Sequence, residues 1–186
     1  AEKLEKHKIN SFLVREPGGT LISEKIRNIL LNKELEDMNY ITEALLMIAS
    51  RAQLVDEIII PKLKKGYVVI ADRYRDSTLS YQGAGRNLDI DLLDKINSFA
   101  TTNLMPDITF LMDIPSKIWF KRRRNAKHDR IEKIGDKFQE KVRRQYLKLA
   151  NDNDKRFVIL DGSLSIDNIH NDIFLKVFNK LKSENN

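Results

Sequence analysis

The sequence predicts an α/β fold: a parallel sheet covered by helices on both faces, within one domain spanning residues 1–186. Two observations predict it. Four short runs rich in β-branched and aliphatic residues recur along the chain: Ser11–Val14, Tyr67–Ala71, Ile108–Asp113 and Arg156–Leu160. Continuous apolar runs of this length suit strands buried on both faces. Between them lie apolar stripes of helical period, and strands alternating with helices imply right-handed crossovers and a parallel sheet. No internal repeat, low-complexity linker or shift of composition divides the chain.

Taken in order, Ala1–Lys8 reads as the last turns of a helix leading into the first strand. A sheet of this kind normally begins on a central strand, so the N-terminus is expected to start short of one. After Ser11–Val14 the stripe Ile22, Ile26, Ile29, Leu30 follows the i, i+4, i+7, i+8 rule, and Ile41, Leu45, Ile48, Ala52, Val55 does likewise. Tyr67–Ala71 is the second strand. Leu92, Leu93, Ile96, Phe99 and Ala100 mark the next helix, and Phe138, Val142, Tyr146 and Leu149 another. Ile166, Ile169, Ile173, Val177 and Leu181 mark the last, before a terminus at Ser183–Asn186 expected to fray.

Composition narrows the chemistry. The 186 residues are 41% hydrophobic and 32% charged, ample for a full core. There is no cysteine, which removes disulfides, thiolate metal sites and thiol nucleophiles. No apolar run approaches the roughly 20 residues of a membrane span, and no signal-peptide pattern opens the chain, so a cytoplasmic location is expected. The net charge of +6 suits nucleic-acid binding and equally an enzyme handling polyanionic nucleotides. Trp119 and the histidines His7, His128 and His170 are isolated, and no Ser-His-Asp arrangement or zinc-ligand spacing is present.

The most telling segment is Asp72-Arg73-Tyr74-Arg75-Asp76-Ser77-Thr78, with Tyr81-Gln82-Gly83 following. Asp72 and Arg73 emerge at the carboxyl end of the second strand, where open α/β sheets bind ligands. A carboxylate there can hold magnesium, and a guanidinium can grip phosphate through two hydrogen bonds. On a helix, Thr78 and Gln82 share a face, as do Ser77 and Tyr81, offering hydroxyl, amide and phenol groups beside Arg73. An amide and a hydroxyl can read a base edge; an aromatic ring can pack on a sugar.

Arg15-Glu16-Pro17-Gly18-Gly19-Thr20 joins a strand to a helix. Its glycines permit a tight turn, and Thr20 can cap the helix. Arg27 lies off the apolar stripe, either a solvated charge or a second phosphate clamp. Glu43, Met47 and Arg51 share a helix face, either lining a pocket or forming a surface ion pair with Met47 filling a core gap. Lys121–Arg124 with Lys127–Arg130 form a basic stretch: a solvated loop, a nucleic-acid patch, or a lid carrying guanidinium groups to transferring phosphates.

Together these residues resemble the bacterial thymidylate kinase family, nucleoside-monophosphate kinases that make dTDP from dTMP. The likeness runs from Phe12 to about Ile173. It rests on Arg15–Thr20, on Thr42–Gln53 (Thr-Glu-x5-Ala-x-Arg-Ala-Gln) and on Asp72–Arg86 (Asp-Arg-x2-Asp-Ser-x3-Tyr-Gln-Gly-x-Gly-Arg). Pro106-Asp107 and Asp129-Arg130-Ile131-Glu132 complete it. The resemblance implies a P-loop NTPase-like three-layer sandwich with a central parallel sheet and a short basic lid at about 121–133. It also implies a homodimer packed through its helices, with ATP as co-substrate and Mg2+ as cofactor.

By the same resemblance, Arg73 and Arg27 hold the dTMP phosphate. Arg51, Thr78 and Gln82 read thymine, Tyr81 lies against the deoxyribose, and Glu16 and Pro17 border the base pocket. Asp72 acts on magnesium, Arg122 packs on adenine, Arg124 neutralises the transferring group, and the backbone around Gly162, Ser163 and Leu164 lines the adenine site. Three departures stand out, one of them a lid about one residue short between Arg122 and Asp129-Arg130. The family's Gly-rich phosphate-binding loop, ending Gly-Lys-Ser/Thr, belongs upstream of Ala1, so residues 1–186 alone are expected to be inactive and the whole protein active. Met47 occupies the position that usually carries a base-stacking Phe. The alternatives are a kinase for another pyrimidine nucleotide, such as dUMP or a deoxynucleoside, and a non-catalytic basic nucleic-acid-binding fragment. The second leaves the Asp72-Arg73 segment unexplained.

Overall fold

A computed structural model describes residues 1–115, 118, 130–131 and 135–184. The order is α1 (Glu2–Lys6), β1 (Ser11–Arg15), α2 (Leu21–Leu31), α3 (Tyr40–Leu54), a π-helical turn (Val55–Ile59) and α4 (Ile60–Lys64). Next come β2 (Val68–Asp72), α5 (Arg75–Thr78), a second π-helical segment (Leu79–Gly85) and α6 (Ile90–Ala100). Then follow β3 (Thr109–Asp113), α7 (Asp136–Asp152), β4 (Phe157–Asp161) and α8 (Ile166–Glu184). All four expected strands are present to within a residue or so. The helix starts have local chemical causes. Thr20, Asn39 and Asp89 sit just before α2, α3 and α6, and their side-chain oxygens accept from the Ser23, Ile41 and Leu92 amides. Each satisfies an amide that the first helical turn leaves without a partner.

The strands are parallel, as expected, but they form two pairs. β1 pairs with β2 in the register Ser11↔Val68 to Arg15↔Asp72. β3 pairs with β4 from Thr109↔Phe157 to Asp113↔Asp161. Among the described residues no strand joins the pairs, so the expected single central sheet is two short ones. The expectation of full burial needs the same correction. Leu13, Met112 and Ile159 stand exposed on these strands.

The core lies where helices meet strands. Val14, Leu54, Val55 and Ile59 form one buried cluster, with Phe12, Val69 and Tyr74 against it. A second cluster joins Ala44 and Ile48 of α3 to Leu79 and Leu93. A third joins Ile131, Phe138 and Val142 under Met47, Tyr81 and Tyr146. Full burial of a leucine such as Leu54 contributes about 1.5–3 kcal/mol. Two ion pairs, one largely buried and one with a half-exposed carboxylate, fasten the segment after β2 to its surroundings. Arg156 donates from both terminal nitrogens to Asp76 at 2.7 and 2.9 Å, and Arg75 pairs with Asp94 at 2.6 Å.

Three apolar stripes are only partly core. Ile22 and Ile29 of α2, Ile41 and Leu45 of α3, and Leu92 and Phe99 of α6 are exposed, Phe99 by 87%. On α6 the buried side instead carries Leu93 and Asn97. Periodicity identifies the helices but not which apolar edge faces inward, because the inward face includes a polar residue.

Candidate active site

β2 ends at Asp72, and the next residue leaves the regular backbone. Arg73 has φ +68°, in the left-handed region that costs a side chain bearing Cβ about 1–2 kcal/mol. Such strain persists where surroundings over-determine it, commonly at functional sites. The Arg73 guanidinium lies 4.8 Å from the centroid of the Tyr81 ring and donates to its hydroxyl at 3.2 Å. Tyr81 in turn meets Phe138 and Tyr146 edge-on, at ring separations of 6.0 and 6.3 Å. Burial pushes the Tyr146 hydroxyl up to about 12. It therefore stays protonated and donates to Ser77 Oγ at 2.7 Å. Asp72 is exposed, and its backbone oxygen accepts from the Glu16 amide at 2.9 Å, which brings the ends of β1 and β2 together.

The Arg15–Thr20 turn lies alongside. The Glu16–Pro17 peptide is cis, and Gly19, at φ +94°, sits where a Cβ would lie 2.8 Å from Leu54 Cδ1. Only glycine suits both the dihedral and the gap. Arg27 donates to the Pro17 carbonyl at 2.8 Å, so it sits against this turn, next to the residues expected to border the base. Glu16 is buried. Its Oε2 accepts from Arg51 Nε at 2.8 Å, while Oε1 has no hydrogen-bond partner. Burial pushes this carboxyl up, and the Arg51 charge and hydrogen bond only partly offset it.

Arg51 is 2% exposed. Nε and Nη2 engage Glu16, Nη1 donates to Thr78 Oγ1 at 2.9 Å and to Asn97 Oδ1, and Nη2 also reaches the Tyr74 carbonyl at 3.2 Å. All five of its N–H groups are thus committed. Arg51 thus holds Thr78, whose hydroxyl keeps its own proton. The surface ion-pair reading of Glu43 and Arg51 is corrected, since both are buried.

Glu43, one turn before Met47 on α3, is 0% exposed and holds four donors. Oε1 accepts from Gln82 Nε2 at 2.9 Å and Arg86 Nε at 3.2 Å. Oε2 accepts from Arg86 Nη2 at 2.8 Å and pairs with Arg130 Nη2 at 2.7 Å. Burial alone would raise this carboxyl, but the hydrogen bonds from Arg86, Gln82 and Arg130 and the Arg86 charge hold it below the usual carboxylate range. Arg130 also donates to the Leu30 carbonyl at 3.0 Å.

The structure therefore brings Glu16, Pro17 and Arg27 together at one turn, and Arg51, Thr78, Gln82, Met47, Tyr81 and Arg73 around the segment after β2. Gly162 and Ser163 follow β4. The Gly162 amide donates to the Asp113 carbonyl at 2.8 Å, closing the ends of β3 and β4, and the Ser163 amide donates to Asp161 Oδ1 at 2.8 Å. Arg122 and Arg124 lie outside the described residues, as does most of the lid at 121–133. Arg143 clasps Asp113 through two hydrogen bonds of 2.7 and 2.8 Å. Asn97 and the Glu43 hub escape a reading of the sequence. The available sign of the first is its spacing, four residues after Leu93 and three before Ala100, which puts it on the apolar stripe of α6.

Among the described residues no three His, Cys, Asp or Glu side chains cluster as a metal cage, and no helix is long and apolar enough to cross a membrane. Comparison with known proteins agrees with the geometry. The family model "Thymidylate kinase" matches residues 1–173. The thymidylate kinase of Thermosipho africanus is 51% identical over 160 residues, covering 86% of this chain and 79% of that protein. That of Thermosipho melanesiensis is 48% identical over 174 residues, covering 91% and 85%. That of Fervidobacterium nodosum is 47% identical over 176 residues, covering 95% and 87%. With a buried hydrogen-bonding cluster, a strained arginine and these relatives in agreement, the chain belongs to the thymidylate kinase family.

Proposed function

We propose that this protein transfers the γ-phosphoryl group of ATP to dTMP, giving dTDP and ADP. The observation that carries the reading is Arg73, held in the left-handed region at the end of β2 and packed over Tyr81, in a chain of this family. A phosphate at that position meets a fixed cation, and Tyr81 offers a flat wall to the sugar. Arg27 is the second phosphate ligand. Met47 covers one face of the base, Pro17 and Glu16 border it, and Thr78 and Gln82 supply the polar edge.

In the reaction a dTMP phosphate oxygen attacks the γ-phosphorus in line. The new P–O bond forms as the bond to the β-phosphate oxygen breaks, and the electron pair leaves on ADP. The nucleophile is already an anion, so no general base is needed. Alignment and neutralisation of charge do the catalysis. Arg73 and Arg27 orient the acceptor, Arg124 of the lid neutralises the transferring group, and Arg122 with the Gly162–Ser163 backbone holds the adenine. Asp72 suits magnesium: a single exposed carboxylate at a strand end is how this ion is commonly held, with waters and substrate phosphates completing its shell. When bound, the ion neutralises phosphate charge.

We read residues 1–186 as one kinase domain. The protein also forms a homodimer in this reading. α3 packs against both α2 and α6, and each of the three leaves large apolar side chains in solvent. Turnover of the full-length protein tests the catalytic assignment. With ATP and magnesium, dTMP yields dTDP, while thymidine yields no monophosphate. Arg73→Gly loses about 10²-fold or more in kcat/KM for dTMP, the scale expected of one preorganised charge donor. Near-normal turnover by that variant contradicts the role given to Arg73.

A further inference from the structure

The Gln82 side chain has two ends with opposite hydrogen-bonding character, and something must decide which end faces the site. An ionised carboxylate only accepts. Glu43 is ionised, because two guanidinium groups clasp it, with Arg86 at 2.8 Å and Arg130 at 2.7 Å on Oε2. The Gln82 group 2.9 Å from Glu43 Oε1 is therefore its NH2. The Gln82 carbonyl oxygen is turned the other way. Gln82 is buried, and this oxygen accepts no hydrogen bond from any described residue.

We propose that Glu43 is a positioning residue that fixes the Gln82 amide with its oxygen toward the base, so that the site takes imide-bearing pyrimidine monophosphates and refuses cytidine ones. The inference rests on the reading that Gln82 faces the base. Thymine and uracil carry a ring N–H at N3 beside a carbonyl at C4; cytosine carries a bare ring nitrogen beside an amino group. A fixed acceptor at Gln82 satisfies the first pattern and opposes the lone pair of the second. Thr78 completes the match. Its oxygen accepts from Arg51 at 2.9 Å, which leaves its proton free for the C4 carbonyl. A site built to pair with a hydrogen bond that the analogue lacks discriminates strongly, by about 10³-fold or more.

Glu43→Gln makes the arrangement reversible. Oε2 carries the two shorter guanidinium contacts, Arg86 Nη2 at 2.8 Å and Arg130 Nη2 at 2.7 Å, and Oε1 only the longer one from Arg86 Nε at 3.2 Å, so the oxygen of the introduced amide settles at the Oε2 position and its NH2 faces Gln82. Gln82 then turns its oxygen to that NH2 and offers its own NH2 to the base. The expected result is a dTMP-to-dCMP ratio of kcat/KM narrowed at least about tenfold. The dTMP KM rises, and the ATP KM stays as in the parent. Glu43→Asp keeps the charge between Arg86 and Arg130 while drawing the carboxylate back from Gln82, so it carries the test if the first variant does not fold, with the same narrowing expected. Gln82→Met separates the two layers of the argument. If it abolishes selectivity while a folded Glu43 variant keeps the parental ratio, Gln82 reads the base and Glu43 does not position it. If Gln82→Met itself keeps the parental ratio, the base reading fails and the inference with it. Equal losses on dTMP and dCMP in the Glu43 variants mark a purely structural role and also overturn the proposal.

Discussion

At the scale of single residues, Arg73 shows most clearly that this site is selected for something other than stability. A non-glycine residue at φ +68° costs about 1–2 kcal/mol in backbone strain, and its guanidinium contacts a tyrosine ring and hydroxyl but, among the described residues, pairs with no carboxylate side chain. Replacing it with glycine relieves the strain but loosens the unfolded chain by about 0.5–1 kcal/mol. The two effects nearly cancel. Arg73→Gly should therefore melt within about 2–4 °C of the parent while losing the turnover stated above. A thermal-shift measurement beside the dTDP assay checks both halves, and a large fall in melting temperature would make Arg73 a structural residue. This residue is legible in the sequence because Asp-Arg at a strand end is unusual chemistry for a turn. Arg51 is legible as important but not in its role, since which acceptors fill a guanidinium depends on residues as distant as Asn97.

At the scale of elements, the site is held by buried carboxylates that bind segments far apart in sequence. Glu43 links α3 to Gln82 and Arg86 at the π-helical segment and to Arg130 of the segment expected to form the lid. Its carboxyl is held low, so its contribution is complete above the unfolded value near 4.3 and is lost as pH falls through the lower folded value. Glu16 has the opposite sign: its raised carboxyl stabilises at low pH and loses that contribution as pH rises through the folded value. Urea unfolding from pH 7 to 3 should thus show a stability gap between the parent and Glu43→Gln of about 3–5 kcal/mol at neutrality. The gap should narrow below about pH 4.3. A gap that is constant with pH would mean that Glu43 carries no depressed titration. The strands and helices themselves are readable from period and capping residues. The buried ion pairs are not, because pairs such as Asp76–Arg156 join positions remote in sequence and leave no local pattern.

At the scale of the whole molecule, the part of the sequence reading that the structure displaces is informative. The stripes on α2, α3 and α6 read as core, yet Ile41, Leu45, Leu92 and Phe99 lie in solvent. A homodimer through these helices would bury them, and periodicity alone does not distinguish a core from an interface. Phe99→Asp should convert a dimer to a monomer, read by light scattering on a sizing column, with a lower melting temperature; a monomeric parent would refute the dimer. The sheet is legible as four parallel strands but not as two separate pairs, because pairing partners are set by tertiary placement and each run looks alike in isolation.

The central claim concerns where the nucleotide sits. A crystal structure of the full-length protein with dTMP tests it directly. The phosphate is expected on Arg73 and Arg27, the sugar against Tyr81, and the thymine ring under Met47 with its N3–H on the Gln82 oxygen. Nucleotide density lying away from Arg73, or the Gln82 NH2 facing the base with Glu43 unengaged, would contradict it.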